Sequence, residues 1–223
     1  NNRNLSIVSI IMFGGAIKGY MSKVSDRDAI FIFPDSVSDT GLNSFRDFLE
    51  SLEVELGFRK KTNPFQKNLD RIGAQYKSAF ACRETDFIKG DIVAIFFSNK
   101  FFDSVIQDNP LWSSDIGLKN IVLTARTVYG KDLLNFITNK LQPIKKRDLL
   151  LNRRMHYVLL VYALLIYVLS KNATRYALSS VKWALHTCYF GGFGKLGSLD
   201  AEVHFFEKAL DPTYTKTLKM FLR

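Results

Sequence analysis

Residues 5–33 are the part of the sequence that most restricts how this chain can fold. Residues 5–13 form an apolar run rich in β-branched side chains, which predicts a strand that Gly14 and Gly15 end in a tight turn. Asp28–Phe33 is apolar after its first residue, which predicts a central strand buried on both faces. A glycine turn therefore ends the first of two strands, and a carboxylate begins the second.

The residue types between these strands favour a phosphate and metal site. Ten residues separate Gly15 from Asp26, and Asp28 follows two residues later. Residues i and i+2 of a strand point to the same face, so the two carboxylates converge. Carboxylate oxygens are ligands for Mg²⁺, and glycines without side chains let backbone N–H groups approach a phosphate. We expect a Mg²⁺-bound nucleoside triphosphate to fit this arrangement.

The same residues resemble the signature of the DNA polymerase β-like nucleotidyltransferase superfamily. That signature is an apolar residue, Gly, Gly or Ser, nine to thirteen residues, and then Asp-x-Asp or Asp-x-Glu. The matching residues here are Phe13, Gly14, Gly15, Asp26 and Asp28, with Gly19 and Ser25 matching in the spacer. The resemblance covers about residues 5–135, and its specific motifs lie within residues 13–33.

The resemblance implies an α+β nucleotidyltransferase domain with a mixed sheet flanked by helices. It implies transfer of a nucleoside monophosphate from a nucleoside triphosphate to an acceptor hydroxyl, with release of pyrophosphate. Asp26 and Asp28 would hold Mg²⁺ in a two-metal site, and Gly14 and Gly15 would cradle the β- and γ-phosphates. Ser25 or Ser22 would add a hydrogen bond to the nucleotide. The acceptor stays open among RNA, protein and small molecules.

A third carboxylate is expected on a neighbouring strand in active members of this superfamily. Asp91 is the first candidate, Glu55 and Glu84 are alternatives, and Glu53 ranks below them. Gly15 also stands where serine is commoner, which removes one hydroxyl contact to phosphate. The alternative function is a catalytically weakened nucleotide-binding or antitoxin-like interaction module of the same fold.

The rest of the chain separates into two parts. Helices are predicted at residues 39–52, 114–129 and 132–141, strands at 78–83 and 91–97, and a loop with a short helix at 59–75. Residues 142–147 are polar and basic and predict a linker. The predicted domains are therefore a nucleotidyltransferase domain at 1–141 and an all-α helical bundle at 148–223.

Charge and cysteine usage bear on partners and location. The formal net charge is +10, which favours polyanionic partners and makes nucleic acid a candidate acceptor. Cys82 and Cys188 form no spaced pair, which indicates a reduced, cytoplasmic compartment.

Residues 155–170 are almost wholly apolar. They fall short of the roughly 20 residues that a membrane-spanning helix needs, so we expect a central helix of the bundle and no integral membrane insertion. A peripheral membrane role for this stretch stays as a third hypothesis.

Overall fold

The chain divides into two compact units. In this computed structural model, the first unit comprises residues 1–61, 77–110 and 117–143, and the second comprises residues 62–76, 111–116 and 144–223. The structure describes residues 6–14, 28–57, 61–72, 79–91, 95, 122–138, 144–170, 172–194, 199–209, 211–213 and 216. The predicted domains at 1–141 and 148–223, with a linker at 142–147, stay a prediction.

In the described residues of the first unit, four strands and three helices have assigned bounds, and residues 122–124 and Ile95 are also helical. The strands are β1 (Ser9–Phe13), β2 (Asp28–Phe33), β3 (Ala79–Arg83) and β4 (Arg126–Gly130). Its helices are α1 (Asp39–Glu55), α3 (Glu84–Lys89) and α4 (Leu134–Thr138), while α2 (Pro64–Ile72) precedes β3 in the chain and belongs to the second unit.

The four strands form one mixed sheet in the order β3-β2-β1-β4. β1 pairs antiparallel with β2 and with β4, and β2 pairs parallel with β3. A parallel pair needs a long crossover, and the segment between β2 and β3 supplies it. β2 is thus a central strand, as the apolar run after Asp28 predicts.

Each face of the sheet carries its own apolar cluster, because alternate residues of a strand point to opposite sides. Ile30 and Cys82 are fully buried on one face, with Phe87 of α3 in the same cluster. Phe33 and Ala81 are buried on the other face, where α1 packs; the α1 residues in or against that cluster are Leu42 and Phe45. The helices α1 and α3 therefore cover opposite faces.

Two predicted elements of the first unit are wrong in type, and one helix was not predicted. Residues 126–130 form β4, although a helix was expected over residues 114–129; only residues 122–124 of the described part are helical there. Residues 84–89 form α3, which the sequence did not predict. The predicted strand at 91–97 is contradicted at Ile95, which is helical and donates its backbone N–H to the Asp91 carbonyl at 3.0 Å.

The second unit is helical, as expected. Its helices are α2, α5 (Lys146–Leu165), α6 (Ala173–Phe193) and α7 (Leu199–Ala209). At the start of α5 the Asp148 carboxylate accepts the Lys145 backbone N–H at 2.9 Å. α5 packs mainly against α6, and α6 also packs against α7.

A buried polar network binds α2 to the α5–α6 corner. Asp70 is 7% exposed and accepts hydrogen bonds from Gln66 at 2.8 Å, from Asn172 at 3.0 Å and from the Tyr176 hydroxyl. Burial, followed by the bond to Asp70, raises the pKa of Tyr176, so its hydroxyl stays a donor. Gln66 also donates to Ser170 at 3.0 Å. These bonds explain why residues 62–76 join the second unit.

Replacing Tyr176 by phenylalanine is expected to lower the free energy of unfolding by about 1–3 kcal/mol, because the buried Asp70 carboxylate loses a donor. Tyr157→Phe is the matched control, since Tyr157 is 60% exposed and should change stability by less than about 0.5 kcal/mol. Urea unfolding followed by circular dichroism measures both variants. Equal stabilities for the two would show that the network adds nothing to stability.

His156 is a buried histidine on α5. It is 4% exposed, its Nε2 lies 3.3 Å from the Thr187 hydroxyl, and its carbonyl accepts the Ser180 hydroxyl at 2.6 Å. Its Nδ1 is buried without a hydrogen-bond partner among the described residues. Burial lowers the pKa of His156 to about 4. The ring is therefore neutral in the folded protein at neutral pH.

The His156 pKa predicts a loss of stability in acid. The unfolded chain takes up a proton below about pH 6.5, whereas the folded chain resists protonation until about pH 4. The stability that this difference contributes is fully present above about pH 6.5 and falls by roughly 3 kcal/mol as the pH drops through about 4. Urea unfolding at several pH values should show this loss in the wild type and a smaller loss in His156→Gln. His204→Gln, at an exposed site, should behave as the wild type, and identical pH profiles for all three proteins would contradict the prediction.

The apolar stretch at 155–170 is not the central helix that was expected. Leu159, Ala163 and Ile166 are buried, but Leu165 is 75% exposed and Val168 is 91% exposed. The buried side chains lie on the side of α5 that packs against the other helices. Among the helices that the structure describes, none combines the length and the apolarity needed to cross a bilayer.

Candidate functional site

The glycine turn and the second aspartate of the motif lie at the same edge of the sheet. β1 ends at Phe13, and Phe13 is paired directly with Asp28, the first residue of β2. Gly14 leaves β1 at this point with φ +78°, a conformation that favours glycine. We call the residues Phe13, Gly14 and Asp28 the glycine–aspartate corner.

Gly14 and the Asp28 carboxylate are in close contact. A Cβ atom built on Gly14 would lie 2.3 Å from Asp28 Oδ2 and 3.2 Å from its Cγ. No residue with a side chain fits there without displacing the carboxylate. The corner therefore places a carboxylate oxygen against the backbone at Gly14. A carboxylate can coordinate a divalent cation, and an uncovered backbone can approach a phosphate.

Apolar side chains pack beside the glycine–aspartate corner. Phe13 is 8% exposed, and its ring centroid lies 6.1 Å from that of Phe80 on β3. Phe80 is paired with Ile30, two residues beyond Asp28 on the same face of β2. Phe80 did not stand out in the sequence; the alternation of Phe80 and Cys82 along β3 is the signal that would have indicated it.

Asp28 shares a face of the sheet with Ile30 and the α3 cluster. Side chains at i and i+2 of a strand point the same way, so Asp28 faces the side of Ile30. α1 covers the opposite face through Phe45, whose ring contacts those of Phe31 and Phe33. Glu55 is the last residue of α1 and so belongs to the layer on the side away from the Asp28 carboxylate.

Glu84 lies at the opposite end of the strands from Asp28. It follows Arg83, which is paired with Phe33 at the other end of β2. Five residues of strand, roughly 16 Å, separate this end of the strands from Asp28. Glu84 Oε1 also accepts Lys131 Nζ at 2.6 Å, so its carboxylate already has a cation partner.

Asp91 follows α3 on the face to which Asp28 points. α3 ends at Gly90, which has φ +72°, and the Asp91 backbone N–H donates to the Asp86 carbonyl at 3.0 Å. Ile95, one helical turn later, is buried in the same cluster as Ile30. Asp91 is exposed and does not begin a strand. Glu84, the first residue of α3, and Asp91 both adjoin segments that pack on this face. Glu53, which is buried, and Glu55 belong to α1.

The other predicted site residues, Gly15, Ser22, Ser25 and Asp26, lie outside the described residues. Within the described part of the chain, no group of three His, Cys, Asp or Glu side chains has the arrangement of a metal site. Asp28 is therefore the one predicted metal ligand whose surroundings the structure gives.

Comparison with known proteins gives a likeness in fold alone. No family model and no curated protein matches this sequence. A similar solved structure is the crystal structure of spectinomycin adenyltransferase AAD(9) from Enterococcus faecialis with ATP and spectinomycin. The match has a TM-score of 0.54 at 12% identity and covers 99% of this chain and 82% of that chain. AAD(9) is a polymerase β-like nucleotidyltransferase, and the mixed sheet and helical C-terminal part of this chain agree with that architecture. The chain thus has the fold of the DNA polymerase β-like nucleotidyltransferase superfamily.

Proposed function

We propose that this protein is a nucleotidyltransferase that transfers a nucleoside monophosphate from a nucleoside triphosphate to an acceptor hydroxyl. The observation that carries the proposal is the contact between Gly14 and the Asp28 carboxylate at the edge of a nucleotidyltransferase-type sheet. A structural turn does not need a carboxylate packed against its glycine. A phosphate and cation site does need open backbone and carboxylate oxygen side by side.

The corner fits a Mg²⁺ ion. Asp28 supplies a hard oxygen ligand, which lies against Gly14 where a Cβ would displace it. Asp26 precedes Asp28 by two residues and is the second proposed ligand. When bound, Mg²⁺ would supply positive charge that stabilises the charge developing on the triphosphate.

In the proposed reaction the acceptor oxygen forms a bond to the α-phosphorus, and the bond from that phosphorus to the bridging oxygen of the β-phosphate breaks. Pyrophosphate leaves with the bonding electrons. The backbone at Gly14 and Gly15 would hold the β- and γ-phosphates, and Ser25 would donate a hydrogen bond to the nucleotide. The acceptor proton would pass to a carboxylate. We assign that role to Asp91, because Glu84 is paired with Lys131 at the opposite end of the strands and Glu55 ends the helix that covers the other face.

For the nucleotide and the acceptor we propose a chemical class. AAD(9) was solved with ATP and spectinomycin, which supports a nucleoside triphosphate and a hydroxyl-bearing small molecule as substrates here. The net charge of +10 keeps RNA as a second class of acceptor.

We also propose a cytoplasmic location. Cys82 and Cys188 are both free, and burial raises the pKa of the Cys82 thiol, so it stays protonated. Unpaired cysteines of this kind are usual in a reducing compartment.

A binding module without transfer activity is the second candidate. It is favoured by the described part of β3, Ala79–Arg83, which has no acidic residue, and by Asp91 lying outside the sheet. Such a module would bind a nucleoside triphosphate at the corner and leave it intact.

Labelling the triphosphate at either the α- or the γ-phosphate distinguishes the candidates. The full chain is incubated with Mg²⁺, labelled ATP and an acceptor that is an aminoglycoside, an aminocyclitol, RNA or a protein. We expect the α-label on the acceptor and the γ-label in pyrophosphate. A γ-label on the acceptor would indicate a kinase, and bound but unconverted nucleotide with every acceptor would favour the binding module.

A further inference from the structure

The outer side of α5 and the turn after it expose an unusual amount of apolar surface. We call these residues the apolar face; they are Tyr157, Val158, Val161, Leu164, Leu165, Tyr167, Val168 and Leu169. Each is more than half exposed, and Val168 reaches 91%. Soluble monomers rarely expose a contiguous apolar patch of this kind unless it binds something.

The spacing of the apolar face makes it continuous along the helix. Tyr157, Val161 and Leu164 follow one another at intervals of four and three residues, which places them on one side of α5, and Val168 lies in the turn after it. Beneath them, Leu159, Ala163 and Ile166 are buried and hold the helix to the rest of the second unit. The apolar face is thus a stable feature of a packed helix.

Positive charge precedes the apolar face on α5. Residues 149–199 contain six Lys and Arg and no Asp or Glu. Arg153 and Arg154 are exposed in the turn of α5 before Tyr157, and Arg175 is exposed on α6. One acid near the turn, Asp70, is 7% exposed and holds Gln66, Asn172 and Tyr176 by hydrogen bonds. The surroundings of the face therefore suit an anionic partner.

Charge also distinguishes the two candidate partners of the apolar face, which are a second copy of the chain and a lipid bilayer. A second copy of the chain would bring together two proteins of net charge +10, with Arg153 and Arg154 on each side of the contact. A bilayer with anionic headgroups offers the opposite charge and an apolar interior. Tyr157 and Tyr167 have an apolar ring and a polar hydroxyl, which suits the boundary between headgroups and acyl chains.

We propose that the apolar face binds the surface of an anionic lipid bilayer. α5 lies in the plane of the membrane, with its exposed apolar side chains among the upper acyl chains. Arg153 and Arg154 lie at the level of the headgroup phosphates. This inference is independent of the proposed enzymatic activity and adds a peripheral membrane interaction to it.

Vesicle flotation with the full chain tests the proposal. The probes are vesicles of phosphatidylcholine alone and of phosphatidylcholine mixed with phosphatidylglycerol. We expect the protein to float with the mixed vesicles at low salt and to remain unbound with phosphatidylcholine alone. Leu165→Ser/Val168→Ser should weaken binding roughly tenfold or more, because two exposed apolar side chains no longer enter the bilayer. Arg153→Gln/Arg154→Gln should weaken it by a similar factor and reduce its dependence on salt.

Phe48→Ser on α1 is the matched control, because Phe48 is 56% exposed but lies outside the apolar face. It should bind the mixed vesicles as the wild type does, and circular dichroism should show that all variants are folded. Absence of flotation with the mixed vesicles, or wild-type binding by Leu165→Ser/Val168→Ser, would overturn the proposal. So would a wild-type dimer in light scattering that this double substitution converts to a monomer, because the face would then be an interface between two copies.

Discussion

Asp28→Asn is expected to reduce nucleotidyl transfer roughly a thousandfold, corresponding to about 4 kcal/mol of lost transition-state stabilisation. The substitution removes the negative charge of the proposed metal ligand and keeps the shape of the side chain. Because Asp28 begins β2 through its backbone pairing with Phe13, the fold should persist. The measurement is the rate of α-label transfer at saturating Mg²⁺ and ATP, beside the free energy of unfolding.

Asp47→Asn is the control for loss of one negative charge. Asp47 is exposed on α1, the helix on the other face of the sheet, so its replacement should leave transfer within about twofold of the wild type. If Asp28→Asn transfers as fast as Asp47→Asn, Asp28 does not hold a catalytic metal. If Asp28→Asn is inactive only because it is unfolded, the unfolding measurement reveals it.

Gly14→Ala is expected both to destabilise the protein and to reduce transfer. The φ of +78° costs an alanine about 1–2 kcal/mol, and the new Cβ would lie 2.3 Å from Asp28 Oδ2. The backbone or the carboxylate must move, which brings the total loss of stability to about 2–4 kcal/mol. A shift of about 1 Å at a reacting centre costs about a hundredfold in rate. Thermal unfolding and the α-label assay measure the two effects.

Gly57→Ala separates backbone strain from the contact with Asp28. Gly57 has φ +74°, nearly the same as Gly14, but a Cβ there would meet nothing within 4 Å. This control should lose about 1–2 kcal/mol from strain and retain full transfer activity. Equal effects of the two substitutions on activity would show that the Gly14 contact has no role in the reaction.

The sequence predicted the part of the fold that surrounds the corner because its signals there are local. The apolar run before Gly14 and the buried run after Asp28 became β1 and β2, which pair antiparallel. The i and i+2 rule then put Asp28 on the same face as Ile30. The contact between Gly14 and Asp28 could not be predicted from the sequence, because the residues next to a glycine do not determine its φ.

The elements that the sequence missed depend on residues far away in the chain. The N-terminus of α3 is capped by Asp35, which accepts the Thr85 backbone N–H at 3.0 Å across 50 residues. β4 is an exposed edge strand whose backbone pairs with β1, so it lacks an apolar alternation. Gln66 bonds to Ser170 across 104 residues and takes α2 into the second unit. Hydrophobic periodicity over a short stretch of sequence carries no information about contacts between residues that are far apart in the chain.

The most direct test of the central claim is a crystal structure of the protein with Mn²⁺ in place of Mg²⁺ and a non-hydrolysable nucleoside triphosphate. The account predicts an anomalous signal for the metal at coordination distance, about 2.0–2.2 Å, from an Asp28 carboxylate oxygen, with phosphate oxygens against the backbone of Gly14. It also predicts Asp26 as a ligand and Asp91 facing the α-phosphate. A nucleotide bound elsewhere, or a metal held without Asp28, would contradict the account.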